Sequence, residues 1–117
     1  MTADRFIPEI VETTIASSGS TSAAVNLSGL QLVAIKTPSA LTGSSFTFTA
    51  CDTVGGTYVL VQAVDGGSSY TASAATSEAQ WIPVDVRVFA GVPFLKLVSS
   101  GTEAADRTIQ LICRPVS

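Results

Sequence analysis

The sequence predicts an all-β fold: a single-domain, jelly-roll-like β-sandwich of about eight short antiparallel strands, preceded by an N-terminal arm. Three observations predict it. Apolar residues recur at every second position in runs of five to eight residues, the period of a half-buried strand. Gly, Ser, Asp, Asn and Pro separate these runs at the spacing of a sandwich or barrel. No stretch sustains a 3.6-residue apolar period with caps, so no long helix is expected.

The runs follow in order. Residues 9–16 alternate, with Val11, Thr13 and Ile15 on one face and Ile10, Glu12 and Thr14 on the other, until Ser17-Ser18-Gly19-Ser20 breaks the pattern. Residues 23–27 form a short second run, closed by Ser28-Gly29. Residues 30–36 are denser in apolar side chains, as in a strand covered on both faces, and Thr37-Pro38-Ser39 ends them. The clearest two-residue period is 45–51, where Phe46, Phe48 and Ala50 oppose Thr47, Thr49 and Cys51. Turn chemistry at 52–56 then joins this run to 57–64 as a hairpin. Residues 69–73 read as a weak edge strand. Trp81 and Ile82 lead into Pro83, and 83–91 hold a turn or one short helical turn. Residues 94–99 form a strand with Phe94 and Leu95 as core anchors. The last run, 108–113, sets Ile109, Leu111 and Cys113 against Gln110 and Ile112, and Pro115 stops it. Residues 1–8 stand outside the pattern as an arm, leaving 9–117 as the sandwich domain. Phe6 and Ile7, fixed by Pro8, are apolar without a place in the alternation, which makes these three the candidate partner-binding residues.

Composition narrows the function. The chain has 117 residues, enough for one domain and one core. Charged residues make up 13%, well under the roughly 25% usual in soluble domains, and mean hydropathy is +0.45. Small domains have much surface for their volume, so part of this apolar content is expected to meet another protein. The six Lys and Arg are scattered, with no two adjacent, and the net charge is −3. A nucleic-acid groove needs converging cations, so no nucleic-acid partner is expected. The uncharged stretch 13–35 is full of Ser, Thr, Gly and Asn and would span a membrane poorly, and the first residues lack a secretory plan. The expectation is a chain made in the cytoplasm with no membrane partner.

Catalysis is not expected. There is no histidine, which removes the usual general base, the commonest metal ligand and every His-based triad. Cys51 and Cys113 are too far apart in sequence for paired zinc spacing, and both are expected to be reduced thiols inside strands. Gly55-Gly56 and Gly66-Gly67 lack a following helix and Lys, so they read as turns rather than phosphate loops. Nine carboxylates are present, but a paired-carboxylate site normally sits in an aromatic-lined cleft, and most of the eight aromatics fall at inward-looking strand positions. Asp52 and Asp65 stand at turns, where Asp bonds local amides more often than it holds calcium. Tyr58 and Trp81 are candidate sugar-stacking residues, though in a small sandwich a single Trp is more often an anchor in a core or interface. No cofactor or metal is expected.

Four segments taken in order carry a resemblance. They are Phe46-Thr-Phe-Thr-Ala-Cys51, Gly55-Gly-Thr-Tyr-Val-Leu-Val61, Phe89-Ala-Gly-Val-Pro-Phe-Leu-Lys-Leu97 and Asp106-Arg-Thr-Ile-Gln-Leu-Ile-Cys-Arg-Pro115. An apolar strand, a Gly-Gly-Thr turn with an aromatic, a late Phe-x-Gly-Val-x-Phe-Leu-Lys block and a closing strand ending in Arg-Pro resemble small β-sandwich structural proteins of tailed bacteriophages. The likeness runs from about residue 14 onward. It departs from the usual form at Asp52-Thr-Val, where another Gly-containing turn is common. The resemblance implies a virion protein made in the host cytoplasm. It implies in particular a capsid decoration, or cement, protein whose partner is the major capsid protein and which forms a homo-oligomer such as a trimer. A head–tail connector or tail component is the alternative within the virion. A carbohydrate-binding module for host adsorption is the alternative from another class.

Overall fold

A computed structural model of the chain describes residues 8–64, 66 and 68–115. These residues form nine antiparallel strands and no helix: β1 (Glu9–Ile15), β2 (Val25–Asn26), β3 (Leu30–Lys36), β4 (Ser45–Cys51), β5 (Val59–Leu60), β6 (Ala72–Ser73), β7 (Trp81–Pro83), β8 (Phe94–Ser99) and β9 (Arg107–Pro115). One sheet has the order β1-β9-β3-β7. The other runs β2-β8-β4-β5, with β6 added along β4. The pairing is nested, β1 with β9, β2 with β8, β3 with β7 and β4 with β5, as when one long hairpin is wrapped into two facing sheets. That is the jelly-roll winding of a β-sandwich.

The alternation explains the core. Ile15 of β1, Leu32 and Ile35 of β3, and Ile109, Leu111 and Cys113 of β9 point inward from the first sheet. Val25, Phe46, Phe48, Leu95 and Leu97 meet them from the second, and all are buried. Phe89, in the turns between β7 and β8, plugs the same core. Its ring lies edge-on to Phe48 at 4.9 Å and to Tyr70 at 5.5 Å, within the range of favourable aromatic pairs.

β3 carries a bulge that the sequence pattern hides. The register with β9 slips between Leu32 and Ala34, leaving Val33 as an extra residue. Had strict alternation continued from Leu32, Ala34 and then the Lys36 ammonium would face the core. The bulge instead turns Ile35 inward opposite Leu111 and sends Lys36 out opposite Gln110. The dense run 30–36 therefore reflects a parity change as well as coverage on both faces.

Other expectations shift in detail. Strands come to nine because Trp81–Pro83 pairs with β3 at the sheet edge, where a Pro lacking an N–H is tolerated. The runs expected at 23–27, 57–64 and 69–73 contract to two-residue strands, β2, β5 and β6. Phe94 is not the core anchor expected of it. It is half-buried on the outer face beside Cys51 and Asn26, and Leu95 alone points inward. Of the expected arm, residues 1–7, with the candidate contacts Phe6 and Ile7, lie outside the described residues, and Pro8 is exposed just ahead of β1.

Candidate functional site

Three places on the sandwich concentrate chemistry. They are a buried carboxylate at one end of β4 and β8, an apolar hairpin at the other end, and the outer face of the β1-β9-β3-β7 sheet.

The carboxylate is Glu103, 0% exposed in the loop between β8 and β9. Its Oε1 accepts the Thr42 N–H at 2.8 Å and the Arg107 guanidinium at 3.0 Å. Its Oε2 accepts the Gly43 N–H at 3.0 Å and the Ser99 hydroxyl at 2.7 Å. The backbone adds two further ties, since Ser18 donates to the Glu103 carbonyl and the Glu103 N–H donates to Gly19, both at 2.8 Å. Those bonds hold Ser18 at a φ of 70°, a left-handed conformation costly for a side chain other than glycine. Burial alone would raise the Glu103 carboxyl. The Thr42 and Gly43 amides, the Ser99 hydroxyl and Arg107 outweigh it and bring the pKa down to about 2. A carboxylate so fully engaged has no lone pair to spare for a proton transfer or a metal ion. It is a knot joining the 16–19, 41–44 and 99–107 segments.

The hairpin is the β4–β5 connection. Val54 at its tip and Val59 and Leu60 on β5 are 62, 64 and 60% exposed. Val59 pairs with Ala50 and so has the parity of the core face, yet at 64% exposure it stands clear of the core. Leu60 pairs with Thr49 and has the opposite parity. The ribbon thus carries apolar groups on both faces beyond the packed core. Tyr58 braces it: its hydroxyl donates to the Val54 carbonyl at 2.9 Å, and the Lys96 ammonium sits 4.4 Å from its ring centroid.

On the outer face of the other sheet, register places side chains in cross-strand rows. Ile10, Ile112, Ala34 and Pro83 form one. Glu12, Gln110, Lys36 and Trp81 form the next, and Thr14 faces Thr108 beyond it. The Gln110 amide donates to Glu12 Oε2 at 3.0 Å, and the Thr14 and Thr108 hydroxyls lie 3.3 Å apart.

The residues singled out in the sequence fare unequally. Trp81 is 59% exposed, so it is no core anchor, and it lies on β7 of the first sheet while Tyr58 precedes β5 of the second. Asp52 is exposed at the hairpin turn, and Asp65 lies outside the described residues. Among the described residues no group of three or more His, Cys, Asp or Glu could hold a metal ion. Cys51 and Cys113 are free thiols in different sheets. Burial, with the Glu9 charge adding to it, pushes Cys113 up to about 11. Glu103 had no signal beyond being a loop carboxylate four residues before an Arg. Comparison of the chain with protein-family models, with curated proteins and with solved structures finds no match.

Proposed function

We propose that this chain is a structural protein of a tailed-phage virion, a decoration protein that docks on the capsid and adds contacts across capsomer boundaries. The resemblance of its ordered segments to phage sandwich proteins supplies the particle. The observation that carries the mode of action is the β4–β5 hairpin, which offers Val54, Val59 and Leu60 to a partner from a braced two-stranded ribbon. Burying such side chains contributes about 1.5–3 kcal/mol each, and a rigid ribbon loses little entropy on docking. Repetition over a symmetric shell multiplies a modest contact. The jelly-roll architecture is shared by viral capsid and lectin domains, an analogy of fold that assigns no site.

The test uses particles made with and without the chain. Particles lacking it should assemble, release DNA at a lower temperature, and regain heat resistance when purified protein is added, because a ligand of the closed shell stabilises it by linkage. Protein carrying Val59→Lys and Leu60→Lys should fail to restore them. Equal heat resistance with and without the chain overturns the decoration reading, and so does full rescue by the hairpin variant.

A further inference from the structure

The outer face of the β1-β9-β3-β7 sheet is unlike the hairpin. It mixes one exposed aromatic with donors and acceptors of both kinds. From this we infer that it is a carbohydrate-binding platform, centred on Trp81, for neutral hexose or N-acetylhexosamine chains. The inference is independent of capsid docking, since it concerns the opposite sheet and a ligand bound by the isolated protein.

β7 is three residues long and pairs only through Ala34, Ile35 and Lys36, so alternation puts Ile82 inward and Trp81 and Pro83 outward. Trp81 is 59% exposed, and among the described residues its indole has no ring, cation or hydrogen-bond partner. An indole left open costs hydration, and its flat apolar face together with one N–H suits a ligand with an apolar face and a polar rim. A pyranose is such a ligand, because its axial C–H groups form one face and its hydroxyls project around it.

The neighbours of Trp81 supply what the hydroxyls need. Lys36 is its direct cross-strand partner, Gln110 follows on β9 and Glu12 on β1. Along that row stand an ammonium donor, an amide that donates and accepts, and a carboxylate acceptor. The Gln110–Glu12 bond of 3.0 Å holds the far end in place, and among the described residues the Gln110 amide oxygen and the second Glu12 carboxylate oxygen have no other hydrogen-bond partner. An open depression of about 410 Å³ lies over the Glu12–Gln110–Lys36 part of this row, lined also by Thr108, Ser39 and Ala79; Trp81 does not line it but stands beside it as the cross-strand neighbour of Lys36. That volume falls within the roughly 300–1,000 Å³ of small-ligand sites. The charges of Lys36 and Glu12 balance, which favours a neutral sugar over an acidic one. Shallow openness fits an extended chain crossing the face rather than an enclosed monosaccharide.

Trp81 is the single tryptophan of the sequence, so intrinsic fluorescence reports on this face alone. Maltotetraose, cellotetraose, mannotetraose and chitotetraose would be titrated into the intact protein to about 20 mM, enough to saturate a Kd of order 1 mM. The expected result is a saturable shift of Trp81 emission with at least one of them. Lys36→Ala and Gln110→Ala should weaken that binding by about tenfold each without changing Tm. Trp81→Ala, followed by calorimetry, should abolish it while the protein stays folded. No saturable shift with any of the four sugars overturns the inference. So does binding that persists in Trp81→Ala, or binding that Lys36→Ala and Gln110→Ala leave unchanged.

Discussion

β4 and β8 run side by side through the second sheet, and their two ends invert the usual rule of burial. At the Ser45–Ser99 end a carboxylate is fully buried, and at the Cys51–Phe94 end three large apolar side chains stand in solvent. Glu103 is tolerated because every strong demand of its charge is met, by two amides, a hydroxyl and a guanidinium. Val54, Val59 and Leu60 are tolerated because Tyr58 and the β4 ladder hold the ribbon without their help. The difference separates two tasks. One end spends polar groups on joining loops, and the other leaves apolar groups unspent for a partner. Substitutions at the two ends should therefore differ in what they damage, stability at the first and contact at the second.

The largest effect is expected at Glu103. Glu103→Ala would leave the Arg107 charge, 16% exposed at its side chain, without its partner, and strand the Thr42 and Gly43 amides and the Ser99 hydroxyl. Losing one member of a buried pair costs about 3–5 kcal/mol, which urea unfolding would read as a large fall in midpoint with an unchanged m-value. The same group fixes an acid dependence. Its folded pKa, about 2, lies below the ordinary value of 4.5, so the stability it contributes is complete above about pH 5 and is lost as pH falls toward 2. The span corresponds to roughly 3 kcal/mol. Unfolding measured between pH 6 and pH 2 should show this loss in the native protein, and Glu103→Gln should remove that portion of the slope. An unchanged slope in the Gln variant would place the acid sensitivity elsewhere.

A smaller loss is expected at the glycine beneath the knot. A Cβ added at Gly43 would collide with the Ser99 hydroxyl and come within 2.8 Å of the Gly101 nitrogen. Both neighbours are held, Ser99 by its bond to Glu103 and Gly101 by the loop that carries it. Gly43→Ala should therefore cost about 1–3 kcal/mol through displaced packing. Because Gly43 and Glu103 share partners, the double variant with Glu103→Ala should lose less than the sum of the two. Strict additivity would mean that the loop closes independently of the carboxylate.

How far the sequence announced these features follows from how local each one is. Two-residue alternation is written in neighbouring positions, so β1, β3, β4, β8 and β9 were legible, as was the hairpin after Cys51. The bulge at Val33 was not, because it exists only in the register between β3 and β9, and the apolar run reads smoothly through it. β7 was hidden for a similar reason, since three residues ending in Pro make a strand only beside Lys36. Phe94 and Leu95 show the limit of reading apolarity without alternation. The pattern demands that one face in and the other out, so the two neighbours could not both be the core anchors expected of them, and Leu95 alone is buried. Glu103 was the least legible, because its partners at Thr42, Gly43 and Arg107 lie on both sides of it in the chain and only folding gathers them. The exposure of Val59 was equally silent, since its parity is that of a core residue and only the packing of the whole fold shows how much of it is left in solvent.

The smallest effect on stability is expected where the notional hydrophobic loss looks large. Val59→Lys and Leu60→Lys together remove two big apolar side chains, which in a core would cost several kcal/mol. Here both are already about two-thirds in water in the folded state, at 64 and 60% exposed, so folding removes little of their surface from solvent. Their backbone pairing to Ala50 and Thr49 does not depend on side-chain identity. Lys at an edge also discourages unwanted strand pairing. One repulsive contact arises, because Leu60 and Lys96 both flank Thr49 on the outer face, and a new ammonium would sit two strands from an existing one. Across that spacing in water the repulsion is a few tenths of a kcal/mol and is screened by salt. The double variant should therefore unfold within about 0.5 kcal/mol of the native protein at moderate salt. Its apolar dye binding should fall, since the exposed ribbon is a natural site for such a dye. A loss of 2 kcal/mol or more would mean that Val59 and Leu60 hold the sandwich together, and the division between a stabilising end and a contacting end would fail.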